Sequence, residues 1–178
     1  DFTDPDLAQK WLTVQLRLEN ETILNTADRF SDLNGMGTTI VLAIAFTEKI
    51  LIAHLGDSRC YLYGGNEFKQ ITEGPSLVHE LGKTGQITEQ QARNHPQKNI
   101  ITETLGVSST VNPEFDILEV HAGDIFLLCT DGLTNSLTDP QIQQILATKN
   151  LSLKERCNKL INEANRLGGG DNITVCLL

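Results

Sequence analysis

Two apolar, β-branched runs, Thr38 to Phe46 and Ile50 to Leu55, are separated only by the polar triplet Thr47-Glu48-Lys49. Strands joined by so short a connection must pair antiparallel, because a parallel partner needs a crossover of about a dozen residues or more. The chain is therefore expected to build at least one antiparallel sheet. Two more short strands, Arg59 to Tyr63 and Glu67 to Ile71, flank Gly64-Gly65-Asn66, a tripeptide that can supply the positive φ angles of a tight hairpin. Four meandering strands are expected in this region. Upstream, Thr3-Asp4-Pro5 is a helix start, and Leu7, Trp11, Val14 and Leu18 recur at helical spacing, so a long amphipathic helix should run to about Asp28.

Residues 74 to 98 break the strand pattern. A short helical piece around Leu77 to Lys83 is followed by Thr88 and Gln91 at capping-box spacing and then by Asn94-His95-Pro96, which reads as an excursion from the sheet. Strands resume at Phe115 to Val120 and Ile125 to Cys129 around the turn His121-Ala122-Gly123-Asp124. Helices follow near Pro140 to Ala147 and Leu153 to Leu167, the second with a capping box of Ser152 and Glu155. The chain closes on an apolar strand, Ile173 to Leu178. No repeat, linker or low-complexity tract interrupts it, so residues 1–178 are expected to form a single domain.

The chain carries 23 acidic against 14 basic residues, a formal charge of -9, with no Lys/Arg cluster that could neutralise a run of phosphates. Nucleic acid is excluded as a partner on this reading. Cys60, Cys129, Cys157 and Cys176 are widely spaced and form no CxxC pair, so they read as buried free thiols of a reducing compartment rather than a disulfide framework or a zinc site. No apolar run approaches the roughly 18–20 residues that span a bilayer, and the first residues lack the features of a signal peptide. A cytoplasmic chain without a membrane partner is expected; because it starts at Asp1 it looks cut, and a targeting segment upstream stays open.

Two carboxylates stand where backbone leaves a strand or enters one. Asp131 follows the apolar run Ile125 to Cys129 and precedes Gly132; Asp171 follows Gly168-Gly169-Gly170 and precedes Asn172 and the last strand. Each by itself suits a turn or capping residue as well as a ligand. Together, without matching Cys or His, they suit a hard cation such as Mg²⁺ or Mn²⁺, which takes oxygen ligands and keeps several waters. Spacing does not tell whether they converge. The residues by themselves lead to a possible acidic metal site on a mixed α/β fold.

Four segments, taken in order, resemble the motifs of the metal-dependent protein serine/threonine phosphatases of type 2C: Gly35-Met36-Gly37-Thr38-Thr39, Gly56-Asp57-Ser58-Arg59, Thr130-Asp131-Gly132-Leu133 and Gly169-Gly170-Asp171-Asn172-Ile173-Thr174. Asn94 to Thr102, leading to Leu105-Gly106, is similar to the flap region of that family's bacterial branch. The resemblance implies an α+β fold, a four-layer α-β-β-α sandwich of two antiparallel sheets flanked by helices, here incomplete at its N-terminus, with residues 74–104 as a flap subdomain. It makes Asp131 and Asp171 catalytic metal ligands of a two-metal centre holding Mn²⁺ or Mg²⁺. The pair would lower the pKa of a shared water, which attacks phosphorus in line without a phosphoenzyme. The implied substrates are phosphoserine and phosphothreonine proteins, the implied partner a bacterial serine/threonine kinase, and the implied state a monomer.

Two departures qualify the resemblance. The family's Asp-Gly-Met/His-Gly-Gly motif and an earlier phosphate-binding Arg should precede the first helix; Asn34-Gly35-Met36-Gly37 echoes the motif but has Asn where a carboxylate is needed. Residues 1–178 by themselves are accordingly expected to be inactive and poorly folded. The flap reads Gly74-Pro75-Ser76-Leu77-Val78 where Asp-His-Ser-Leu-Val is usual, which puts an accessory third metal in doubt. A catalytically silent phosphatase-like binding or regulatory module is therefore the alternative reading. Asp57 and Arg59 are expected to brace the sheet, Asn172 to close a turn or orient Asp171, and none of His54, His79, His95 and His121 to act as a general acid.

Overall fold

A computed structural model describes residues 3–65, 67–72 and 103–178. The flap expectations at Gly74 to Thr102, including His79 and His95, lie outside the described residues. Two compact units emerge, one from the described residues within 1–57 and 73–118, the other from Ser58–Thr72 and Glu119–Leu178.

In the first unit, helix α1 spans Pro5–Arg29. The Asp4 carboxylate accepts the Asp6 N–H at 3.0 Å, and Pro5 occupies the first turn, where its missing N–H costs nothing. The helix lies where the spacing places it, but it buries a different face. Leu7, Trp11, Val14 and Leu18 are about half exposed, while Ala8, Leu12, Leu16, Asn20 and Ala27 are buried. The first turns carry two apolar stripes, and the one that includes the small Ala8 packs on Leu51 and Ala53.

Strands β1 (Ile40–Ala45) and β2 (Lys49–Leu55) form the expected antiparallel hairpin, with register Ile40↔Leu55 to Ala45↔Ile50. β5 (Glu114–Glu119) lies on the other side of β2 in this three-stranded sheet. Being central, β2 is buried from Ile50 through Leu55. Leu16 joins Leu55, Leu105 and Val111 in a second apolar cluster of this unit. Beside it the buried Asn20 amide donates to the Ser108 carbonyl at 2.8 Å and accepts the Gly106 N–H at 2.7 Å, so its burial is compensated. Gly106 has φ +88, and a Cβ there would meet Ile23 Cγ2 at 2.3 Å, which accounts for glycine.

His54 on β2 is 1% exposed, neither of its ring nitrogens is hydrogen-bonded among the described residues, and its Nε2 is 3.8 Å from a Glu114 carboxylate oxygen. Burial lowers its pKa from the ordinary 6.5, with Glu114 and Asp116 pulling the other way. A base whose folded pKa is depressed takes up its proton more readily when unfolded, so stability is present above the unfolded value and is lost as pH falls below it. Thermal melts at pH 7.5 and 5.5 should show a loss of stability that is smaller in His54→Leu; an equal loss in both would assign the effect to other groups.

The second unit holds β3 (Arg59–Gly64), β4 (Glu67–Gln70), β6 (Ile125–Cys129) and β7 (Val175–Leu177), in the order β4-β3-β6-β7. The pairings β3–β4, β3–β6 and β6–β7 are antiparallel. The expected run of four meandering strands is thus divided: the chain leaves the first sheet at Gly56, whose φ is +98, and β3 and β4 enter the second. Local propensity marks strands but carries no information on which neighbour they choose.

Helices α2 (Asp131–Ser136), α3 (Asp139–Leu146) and α4 (Leu153–Arg166) complete this unit. α3 and α4 both start with capping boxes, Thr138 with Gln141 and Ser152 with Glu155. Tyr61, Leu127, Leu133, Ile142, Leu146, Leu160 and Ala164 are 0% exposed and form its core. Each buried leucine contributes on the order of 1.5–3 kcal/mol. The closing strand is shorter than Ile173 to Leu178 and is an edge strand, so it is half-buried rather than buried. Among the described residues none of the four cysteines is in a disulfide; Cys60 and Cys129 are buried as expected, whereas Cys157 is half-buried and Cys176, on that edge strand, is exposed. With two antiparallel sheets flanked by helices, the architecture is α+β, as the resemblance implies. Among the described residues no helix is long and apolar enough to cross a membrane.

Candidate active site

β6 ends at Cys129, and Thr130, in extended geometry, hands the chain to α2, whose first residue is Asp131. The expected turn is thus the first turn of a six-residue helix. Asp131 Oδ2 accepts a hydrogen bond from Asn135 Nδ2 at 3.3 Å, and its carbonyl accepts from the Thr134 hydroxyl at 3.3 Å. Asp171 lies exposed just before β7, and its Oδ1 accepts the Asn172 backbone N–H at 2.7 Å. That bond is made by the backbone N–H of Asn172 and leaves its side chain without an assigned part.

The two acidic turns are bound to each other through Thr130. Its N–H donates to the Thr174 carbonyl at 3.1 Å, its hydroxyl donates to the Asn172 carbonyl at 3.2 Å, and the same hydroxyl accepts the Thr174 N–H at 3.0 Å. Gly132 makes the approach possible, since a Cβ there would meet the Asn172 carbonyl oxygen at 2.3 Å and its carbon at 3.0 Å. Asp131 and Asp171, 40 residues apart in sequence, therefore stand on adjoining backbone segments. Sequence reasoning named both carboxylates but missed Thr130 and Gly132 as the parts that join them. A glycine beside a strand end is a signal of close backbone approach and could have been read that way.

Among the described residues no group of three or more His, Cys, Asp or Glu side chains is arranged to hold a metal ion. The two carboxylates, on adjoining turns and each with one oxygen engaged by its own turn, are oxygen donors of the kind Mg²⁺ or Mn²⁺ accepts, and such ions keep water in several positions. Cys129, next to Thr130, is no nucleophile: burial pushes its thiol up to about 12, so it stays protonated and unreactive. Neither His54, enclosed beside Glu114, nor the exposed His121, which lies 3.6 Å from Asp124, is placed on these turns. Arg59 Nη1 donates to the Tyr61 hydroxyl on its own strand, β3, at 2.9 Å.

Residues 3–164 match the Protein phosphatase 2C family. The chain is 44% identical over 170 residues to the serine/threonine phosphatase stp of Listeria welshimeri, covering 96% of this chain and 67% of that protein. In structure it is similar to the S. agalactiae serine/threonine phosphatase, with a TM-score of 0.90 and 38% identity over 99% of this chain and 72% of the other. It is also similar to the catalytic domain of the protein phosphatase PstP in complex with two manganese ions, with a TM-score of 0.78 and 34% identity over 93% of this chain and 68% of that one. This chain belongs to the protein phosphatase 2C family, in its bacterial branch.

Proposed function

We propose that this protein hydrolyses phosphoserine and phosphothreonine in proteins, opposing a bacterial serine/threonine kinase, and that Asp131 and Asp171 are ligands of its divalent-cation centre, Mn²⁺ or Mg²⁺. The observation that carries the reading is the triple hydrogen bonding of Thr130 to residues 172 and 174, which brings the two acidic turns side by side. When bound, the cation supplies an activated water and neutralises charge on the phosphoryl oxygens. The chain's own part is positional. Thr130 and Gly132 set the separation of the turns, Asn135 orients the Asp131 carboxylate, and the Asn172 N–H orients that of Asp171. Manganese in the PstP complex favours Mn²⁺ as the first ion to test.

Release of inorganic phosphate from a phosphothreonine peptide by the complete protein is the direct test. Release should require added Mn²⁺, fall to background with EDTA and return with excess Mn²⁺. A protein that binds the phosphopeptide but releases no phosphate at saturating Mn²⁺ would instead be the silent binding module.

A further inference from the structure

The segment that carries Asp131 is fastened to β3 at both of its ends. At the near end, Cys129 pairs with Arg59 in the β3–β6 ladder. At the far end, Asp139, the first residue of α3, accepts a hydrogen bond at 3.3 Å from the hydroxyl of Tyr61, two residues further along β3. That hydroxyl in turn accepts from Arg59 Nη1 at 2.9 Å.

Tyr61 is 0% exposed and its ring stacks on Phe68, with centroids 4.7 Å apart and planes 6° from parallel. It shares its core with Leu133 and Leu137, the apolar residues by which the stretch from Asp131 to Thr138 is buried. A phenol so enclosed has lost its water and must find protein partners; here it donates to Asp139 at the far end of the segment and accepts from Arg59, the ladder partner of Cys129 at the near end. α2, between those ends, has six residues and no side-chain cap at Thr130. A helix that short does not hold its own orientation, so its placement depends on what anchors it.

We propose that Arg59, Tyr61 and Asp139 are positioning residues for Asp131: the hydrogen-bonded chain from β3 to the first turn of α3 holds the 130–139 segment where the Asp131 carboxylate can reach the divalent cation. This rests on Asp131 being a ligand, and it assigns to Tyr61 a role that packing alone does not need.

The experiment compares Mn²⁺ dissociation constants, measured by the electron paramagnetic resonance of free Mn²⁺, with melting temperatures for variants of the intact protein. Tyr61→Phe keeps the ring, its stack on Phe68 and the core volume; Asp139→Ala removes the other end of the chain; Asp139→Asn keeps an acceptor oxygen. Tyr61→Phe and Asp139→Ala should each weaken Mn²⁺ binding about tenfold. Their combination should be little worse than either, since both break one connection, and Asp139→Asn should bind within about twofold of the unaltered protein. Lowered melting temperatures with unchanged Mn²⁺ affinity in Tyr61→Phe and Asp139→Ala would reduce the chain to a packing device and overturn the proposal. Asp131→Asn separates the two levels: if it loses Mn²⁺ while Tyr61→Phe does not, only the positioning role fails, and if it binds Mn²⁺ normally, the site assignment fails first.

Discussion

In the complete protein, Asp131→Asn and Asp171→Asn should each lower Mn²⁺-dependent hydrolysis of p-nitrophenyl phosphate by at least about a hundredfold, or about 2.7 kcal/mol of transition-state stabilisation. The exchange keeps the shape of the side chain and its local hydrogen bonding. The amide introduced at position 131 still offers an oxygen to Asn135 Nδ2, and the one introduced at position 171 still offers an oxygen to the Asn172 N–H. What disappears is the negative charge, which an oxygen-seeking divalent cation needs from each of few protein ligands. Folding should change little. Asp131 gains modestly from the N-terminal end of α2, about 0.3–1 kcal/mol, and Asp171 is exposed. Turnover at saturating Mn²⁺ and the melting temperature therefore have to be measured together. Near-normal turnover in either variant would remove that residue from the centre, whereas a collapse in melting temperature would shift its role to folding.

Gly132→Ala should be the most damaging substitution of a residue that bears no functional group. The added methyl would sit 2.3 Å from the Asn172 carbonyl oxygen and 3.3 Å from an Ile173 side-chain carbon. The first of these is backbone, which cannot rotate away, so the two turns must separate. Overpacking of this kind costs about 1–3 kcal/mol. The Thr130 hydroxyl bonds to residues 172 and 174 are the first to stretch. The expected result is a lowered melting temperature together with a fall in activity of about a hundredfold, because a displacement of about 1 Å at a catalytic group is enough for that. Thr130→Val provides the companion measurement. It keeps the shape and the β6–β7 backbone bond to Thr174 but deletes both hydroxyl bonds, and its effect should be in the same direction and smaller. If Gly132→Ala retains full activity, the separation of the turns does not govern the chemistry.

Much of the fold is written in short-range signals. Asp4 and Pro5 start α1, Ser152 and Glu155 start α4, and the triplet 47–49 forces β1 and β2 into an antiparallel pair; each depends on residues within four positions, so each is legible in the chain. Asp131 and Asp171 could also be named, because a carboxylate beside glycine at a strand end is unusual enough to be noticed and because their motifs resemble those of a known family.

Three features had to wait for tertiary structure. Two apolar stripes compete on α1, and the choice went to Ala8, Leu12 and Leu16 because a small residue there permits close packing on β2. Strands β3 and β4 look no different in sequence from β1 and β2, yet they enter another sheet after Gly56, whose φ is +98. The meeting of the acidic turns depends on bonds between Thr130 and residues 42 and 44 positions away. Local sequence determines which conformations are cheap for each segment, and those it announces. Which cheap segments meet is decided by the burial and hydrogen bonding of the whole chain, and that is what brings the two acidic turns of this protein side by side.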